Sequence, residues 1–359
     1  MSGLSKSASI SVVIAFHNGS QWIERALESA FSQTHEPSEV LVVDDGSDQT
    51  ESTFLSSLLS KYNFQIIRQE NAGQSSARNN GVKNAKSSLI CLLDQDDYFL
   101  PRHIEILLEN FDLQDSSFGF SYGDLWRSNE SGEILSHTCV NVDAQHPLTD
   151  IKVMLRNNMN ILPSATLISK AAFSKVGGFD PELRGYEDDD LFLRFFLAGY
   201  RNKFTSEAVT VWTINRSSTS FSESMSRSRF IYFNKLMRLF PAGSLLGTKV
   251  FGELLAPRFG FHLADDVIAS AFRRDSHFET RLERLKFFRA LMKGSDEVPA
   301  SVKRKFLWSS APLVLLNSSA LRLFLLVILR LGKVLGTFGV PLLTRFVRKY
   351  SSDKEILSK

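Results

Sequence analysis

Three carboxylate clusters in this 359-residue chain have the composition to do chemistry: Asp44-Asp45, Asp94-Gln95-Asp96-Asp97 and Glu187-Asp188-Asp189-Asp190. Carboxylates packed together repel one another unless a cation or hydrogen-bond donors compensate. Hard divalent ions such as Mg²⁺ or Mn²⁺ take oxygen ligands and are commonly completed by phosphate oxygens. Asp94, Asp96 and Asp97 therefore read as a place for a divalent cation and a diphosphate. The plainer reading, loop carboxylates capping a helix that follows Pro101, stays open. In the third cluster the acids precede Leu191, Phe195 and Ala198, one face of an amphipathic helix, so they fall in its first turn. Acids there complement the helix dipole, and Asp190 stands four residues before Arg194, an ordinary helical ion pair. Alternatively, one of them faces an acceptor hydroxyl as a general base.

The elements that must position these acids follow from hydrophobic periodicity. Residues 10–16 (ISVVIAF) form an apolar run expected for a strand buried on both faces. Further strands are expected over 39–43, 64–68 and 88–93. Helices are expected between them: one capped by Ser20, one opened by a capping box of Asp48 and Glu51, and one over 74–85. Pro101 opens a further helix. Strand–helix alternation with short connections predicts a parallel, doubly wound sheet. Ligands of such sheets bind outside the carboxyl ends of the strands. Asp44-Asp45 follow the second strand and Asp94–Asp97 the fourth, so both clusters fall on one sheet edge. From about residue 118 the pattern turns mixed, with strands near 118–125, 165–169 and 208–214. After residue 222 only helical signals remain.

Composition narrows the class. The length predicts two domains at roughly 150 residues each, and 43% hydrophobic with 23% charged residues is ordinary globular usage. A net charge of +3 is too small to suggest a nucleic-acid binder by itself, and no nucleic-acid partner is expected. Two cysteines, Cys91 in an apolar run and Cys139, offer no disulfide framework, and the short polar N-terminus has no signal-peptide core. A cytoplasmic location is expected. The absence of G-x-G-x-x-G after the first strand disfavours a nicotinamide dehydrogenase. A Mg²⁺-dependent phosphotransferase wants an aspartyl nucleophile supported by lysine and a hydroxyl, a setting Asp45 lacks.

Taken together, the segments over 10–220 resemble the inverting family-2 glycosyltransferases with the GT-A fold. ISVVIAFHNGSQWIERALESAFSQT is similar to that family's first strand–helix unit and VVDDGSDQT to its nucleotide-binding turn. ENAGQSSARNNGVKNA is similar to its arginine-bearing helix, LLDQDDYFLP to its DXD metal motif, and VGGFDPELRGYEDDDLFLRFFLAGY to its GGFD and ED segment. The resemblance implies an α/β, Rossmann-like, mostly parallel mixed sheet flanked by helices. Residues 1–222 would be the GT-A domain, with a nucleotide-sugar-binding half (1–117) and an acceptor half (118–222). A helical C-terminal region would occupy 223–359. It implies that Ala15 and Asp45 contact the nucleobase, Asp45 accepting from a uracil-type imide of a UDP- or dTDP-sugar donor. Arg78 would lie near base or diphosphate. Asp94 and Asp96 would hold Mn²⁺ or Mg²⁺, Asp96 foremost, with Asp97 behind them. Asp188 would be the catalytic base and Glu187 would orient the site. One sugar would pass with inversion to a carbohydrate or lipid-linked acceptor, in bacterial surface polysaccharide assembly. Two departures stand out. Trp212 and Asn215 occupy positions where many relatives place an arginine–x–histidine pattern, leaving a third metal ligand unassigned. The glutamine–x–x–arginine–tryptophan motif of processive relatives is absent. A catalytically weak, nucleotide-binding scaffold is the alternative.

The C-terminal segment has its own signature. Between Glu297 and Asp353 there is no acidic residue, while Lys303, Arg304, Lys305, Arg322, Arg330, Lys333, Arg345, Arg348 and Lys349 are basic. Large apolar residues fill the gaps. Residues 300–350 thus read as a helical surface lying in an anionic membrane interface, peripheral at the inner face. The other readings are a spanning or re-entrant segment and an ordinary core or homo-oligomer interface.

Overall fold

The computed structural model describes residues 8–142, 145–214 and 223–335. Asn215 and residues 336–353 of the basic tail lie outside them. Two compact units divide the chain, residues 1–225 and 226–359.

The first unit begins with β1 (Ile10–Phe16), α1 (Ser20–Phe31), β2 (Glu39–Asp45), α2 (Gln49–Ser57), β3 (Gln65–Gln69), α3 (Gln74–Asn84) and β4 (Leu89–Asp94). It continues with β5 (Tyr98–Phe99), α4 (His103–Glu109), β6 (Phe118–Asn129), β7 (Ile134–Ser136), α5 (Ile151–Arg156), β8 (Thr166–Ser169), α6 (Lys170–Lys175), α7 (Glu187–Leu197) and β9 (Arg201–Ile214). Among the described residues the sheet runs β3-β2-β1-β4-β8-β6-β9-β5, with β7 paired to β6. The first four strands in that order are parallel, whereas β8 runs antiparallel to β4 and β6. The predicted mixed, mostly parallel sheet is therefore the one observed. Its register puts Ala15 opposite both Val43 and Asp94, and Phe16 opposite Asp44, so the carboxyl ends of β1, β2 and β4 finish level.

Several local expectations are corrected. β2 runs on through Asp44 and Asp45, because the ladder to β1 and β3 continues past Val43; the turn starts at Gly46. Gly46 sits at φ 69°, and a Cβ there would stand 2.6 Å from the Asn71 nitrogen, so only glycine fits. Ser20 is the first helical residue of α1 rather than its cap. Asp48 makes no capping bond to α2; Glu51 instead accepts from the Ser20 nitrogen and Oγ, both at 2.8 Å, so an acid from one helix caps its neighbour. A short strand, β5, separates the Asp94–Asp97 cluster from α4, which starts at His103. The reading of those acids as caps of a helix after Pro101 therefore fails.

Helix α3 is polar overall yet packs on β1 and β2. It can approach so closely because of Gly81: a Cβ there would lie 2.3 Å from Val13 Cγ1 and 3.1 Å from Val43 Cγ2. Gly81→Ala is expected to destabilise the protein by about 1–3 kcal/mol, overpacking outweighing the gain of about 1 kcal/mol in helix propensity. A lower urea midpoint at unchanged m is the expected readout, and an unchanged or raised midpoint would refute this account of the packing.

The second unit is helical and has a core of its own. It holds most of α8 (Glu223–Leu239), a π-helical turn at Val250–Leu255, α9 (Ala256–Arg273), α10 (Phe278–Gly294), α11 (Ala300–Ser309), α12 (Ala311–Leu315) and α13 (Ser318–Leu335). Phe288 sits at the centre, with ring centroids of Phe233, Phe306 and Phe251 at 5.4, 5.5 and 5.8 Å. No described helix is long and apolar enough to cross a membrane. The uncharged run 306–321 is broken into the end of α11, α12 and the start of α13.

Candidate functional site

The carboxyl edge of β1, β2 and β4 is tied together by polar side chains from the loops that leave it. Asp45 is buried, and its carboxylate accepts from Gln69 Nε2 (2.7 Å), the Ala72 nitrogen (2.8 Å) and the Gly73 nitrogen (2.8 Å). Those bonds pin the loop that leads into α3. A carboxylate has about four acceptor positions, and these three donors fill most of them. Asp44 is also buried. Burial pushes its carboxyl up, but donors from Ser52 (2.5 Å) and Ser47 (3.0 Å), together with Arg68, outweigh this and hold it below the ordinary value. Asp44 thus supports the turn rather than facing outward. Ala15 packs its methyl with Val43 and Ala77 against Ile67.

Arg78 occupies the centre. Its side chain is only 3% exposed, and it bridges two of the sequence's acidic clusters. Nη2 lies 2.5 Å from Asp94 Oδ1, Nη1 lies 3.1 Å from Glu187 Oε1, and the guanidinium stands 5.1 Å from the Phe179 ring centroid. Burial opposes its charge, yet Asp94 and Glu187 more than offset that and raise its pKa. A solvated helix arginine it is not. Nε is buried without a partner among the described residues.

Within the Asp94–Asp97 cluster the three carboxylates have different surroundings. Asp94 Oδ1 takes both the Arg78 bond and one from Gln74 Nε2 at 2.9 Å, leaving its Oδ2 outside those bonds. Asp96 lies in the turn after β4, partly exposed, and its backbone oxygen accepts from Arg25 Nη2 at 2.7 Å. Asp97 is buried and accepts from Ser164 Oγ (2.6 Å) and the Thr213 nitrogen (3.0 Å). Burial first, then Asp96 and Asp94, push the Asp97 carboxyl well up, with those two donors pulling against them. Asp97 therefore fastens the turn to the end of β9. Among the described residues no group of three or more His, Cys, Asp or Glu could hold a metal ion. Asp96 and Asp94 do fit an arrangement that Mg²⁺ and Mn²⁺ use, one or two carboxylates completed by substrate phosphates and water.

The third cluster separates by function of each acid. Glu187 pairs with Arg78. Asp189 accepts from the Met159 nitrogen at 2.9 Å, and Asp190 pairs with Arg194 at 2.8 Å as its spacing predicts. Asp188 accepts only from the adjacent Asp189 nitrogen, at 2.8 Å, in the hydrogen-bond set of the described residues. Burial, Glu187 and Asp189 push its carboxyl well above the ordinary aspartate value, against smaller pulls from that nitrogen and Arg78. A buried carboxyl with raised pKa, held only by the nitrogen of the next residue, is a candidate general base.

Sequence reasoning missed the residues that hold these parts in register. Gln95 accepts from the His17 nitrogen (2.8 Å) and donates to the His17 oxygen (3.2 Å), lacing the β4 turn to the end of β1. Asn79 makes two 2.8 Å bonds to the Phe179 backbone, and Ser75 Oγ donates to the Leu183 oxygen at 3.0 Å, so α3 clamps the loop preceding α7. Arg25 also donates to Thr213 Oγ1 at 3.0 Å and lies 4.5 Å over the Tyr98 ring.

Residues 11–175 match the family model described as glycosyl transferase family 2. An uncharacterised glycosyltransferase of Rickettsia prowazekii is 31% identical over 192 residues, covering 52% of this chain and 58% of that protein. The uncharacterised glycosyltransferase YwdF of Bacillus subtilis is 27% identical over 253 residues, covering 68% and 89%. The chain spans only 19% of the length of a Rickettsia bellii glycosyltransferase with which it is 33% identical. Among solved structures, S. aureus TarS 1-349 in complex with UDP-GlcNAc superposes with a TM-score of 0.56 at 14% identity, covering 95% of this chain and 91% of that one. That likeness shows the GT-A fold. The likeness to glycosyl transferase family 2 thus lies in residues 11–175, and the described relatives are glycosyltransferases.

Proposed function

We propose that the chain transfers one sugar, with inversion, from a UDP- or dTDP-sugar to a hydroxyl of a carbohydrate or lipid-linked acceptor in bacterial surface polysaccharide assembly. The observation that carries this reading is Arg78, which ties Asp94 at the carboxyl end of β4 to Glu187 at the start of α7, the residue next to Asp188. Bacterial relatives and a UDP-GlcNAc complex in a protein of the same fold support it.

Asp45 holds the base through its remaining acceptor position. Arg78 keeps a positive charge beside the diphosphate while orienting Asp94 and Glu187. Asp188 takes the proton from the acceptor hydroxyl as that oxygen bonds to the anomeric carbon. The bond from that carbon to the phosphate oxygen breaks on the opposite face, its electron pair leaving with the nucleoside diphosphate. No covalent sugar–enzyme species forms. Asp96 and Asp94 would hold a divalent cation, which would supply charge neutralisation for the leaving group.

A panel of nucleotide sugars, scored by released nucleoside diphosphate with and without Mn²⁺ or Mg²⁺, is the direct test. Turnover of a uridine or thymidine donor that depends on the added ion is expected. Asp96→Asn is expected to lower it by about 10²-fold, the scale of losing one preorganised electrostatic contact in the transition state. Failure of every donor to turn over would sink the reading.

A further inference from the structure

The second unit carries apolar side chains on its outside in a pattern that its own fold does not use. Helix α13 packs on α9, with Leu321 and Leu325, both 0% exposed, as its inner stripe. Four residues apart on another stripe, Leu323 is 66% exposed and Val327 46%. A helix with solvent on its outer face ordinarily places polar residues there. Leu315, at the end of α12, is 79% exposed, and Trp308 in α11 is 77% exposed. All four fall within a stretch of twenty residues that contains no acidic side chain.

We propose that Trp308, Leu315, Leu323 and Val327 dock this unit onto an anionic lipid surface. Charge selects the occupant. From Glu297 to Asp353 the sequence has basic residues and no acidic one, and Arg304 and Lys305 are exposed in α11 beside Trp308. A second copy of the chain would bring the same cationic segment against itself. Anionic headgroups complement it, and a shallow apolar stripe beside lysine and arginine is how a helix lies in a membrane interface. Tryptophan suits the headgroup level, where its ring is buried and its N–H stays wet. Because no described helix is long and apolar enough to span, the contact is peripheral. The sequence pattern alone leaves a broad apolar face open to the surface, to a core or to a second copy. The fold removes Leu321 and Leu325 from it and leaves a narrower patch.

The test is sedimentation of the full-length protein with vesicles of phosphatidylcholine alone or with about a third phosphatidylglycerol. Binding to the anionic vesicles, weakened by added salt, is expected. Leu323→Gln with Val327→Gln should bind about tenfold more weakly, the scale of withdrawing two partly buried aliphatic side chains. Circular dichroism checks that this variant is folded. Tryptophan emission gives a second readout that leaves the aliphatic patch intact: a blue shift on anionic vesicles that disappears in Trp308→Phe. Equal binding to both vesicle types, no binding, or an undiminished variant would overturn the proposal. So would a wild-type dimer in light scattering that the double variant dissociates, since the patch would then belong to a second copy. None of these readouts requires sugar transfer, so they stand or fall apart from the catalytic reading.

Discussion

Asp188→Asn will lower kcat by about 10²–10⁴-fold, the range spanned by positioned acid–base groups, while donor binding stays close to that of the wild type. The direction of its pKa adds two signatures. A base works only when ionised, and burial, Glu187 and Asp189 hold the Asp188 proton above the ordinary aspartate range. Turnover of the wild type should therefore fall as pH drops through that raised value, and the acid limb should vanish from whatever residual activity the variant keeps. The sign for stability is opposite to that of a salt-bridged aspartate. A folded state that keeps a proton the unfolded chain releases loses stability as pH rises from the unfolded value to the folded one. At neutral pH Asp188 thus weakens the fold, and the asparagine variant should melt no lower than the wild type. Loss of activity together with a lower melting temperature would mean that Asp188 supports α7 structurally, and the assignment of the base would fail.

How much of this was legible beforehand depended on whether a neighbour's side chain was involved. β1 runs over the residues its unbroken apolar stretch predicts, because burial on both faces leaves no other choice. The Asp190–Arg194 pair follows from helical spacing alone. Caps failed where tertiary partners took over: Glu51 reads locally as part of a capping box, yet bonds Ser20 of the preceding helix. Asp44 and Asp45 read as a turn, although β-ladder bonds and buried donors make them the last residues of β2. Arg78 was named near the site by resemblance, but its partners Asp94 and Glu187 are 16 and 109 residues away, and no periodicity links such positions. Gln95 carries no signal between its two aspartates, because an amide that bonds a neighbouring strand end has no sequence signature. The outer stripe of α13 could not be told from its inner stripe until α9 was seen to cover one of them.

Arg78→Met will destabilise the protein by about 3–5 kcal/mol, the cost of removing one partner from a buried ion pair. The size follows from what is left behind. The Asp94 side chain is 22% exposed and Glu187 only 13%, so neither regains full hydration when the guanidinium goes. Methionine fills much of the volume and keeps the contact with Phe179, which isolates charge from packing. Arg78→Lys should recover only part of the loss, because one ammonium cannot present the planar fork that reaches two acids at once. The decisive variant is Arg78→Met combined with Asp94→Asn and Glu187→Gln, which removes the uncompensated charges. If the bridge accounts for the penalty, the triple variant regains stability relative to the single one, a coupling of the kind that double-mutant cycles read. On the proposed mechanism sugar transfer should not return with it, because the charge that Arg78 would place beside the diphosphate and the orientation of Asp94 are both gone. A single variant within about 0.5 kcal/mol of the wild type, the usual range for surface changes, would show that Arg78 is not the link between the two halves of the site. Recovered activity in the triple variant would show that its charge serves the fold and not the reaction.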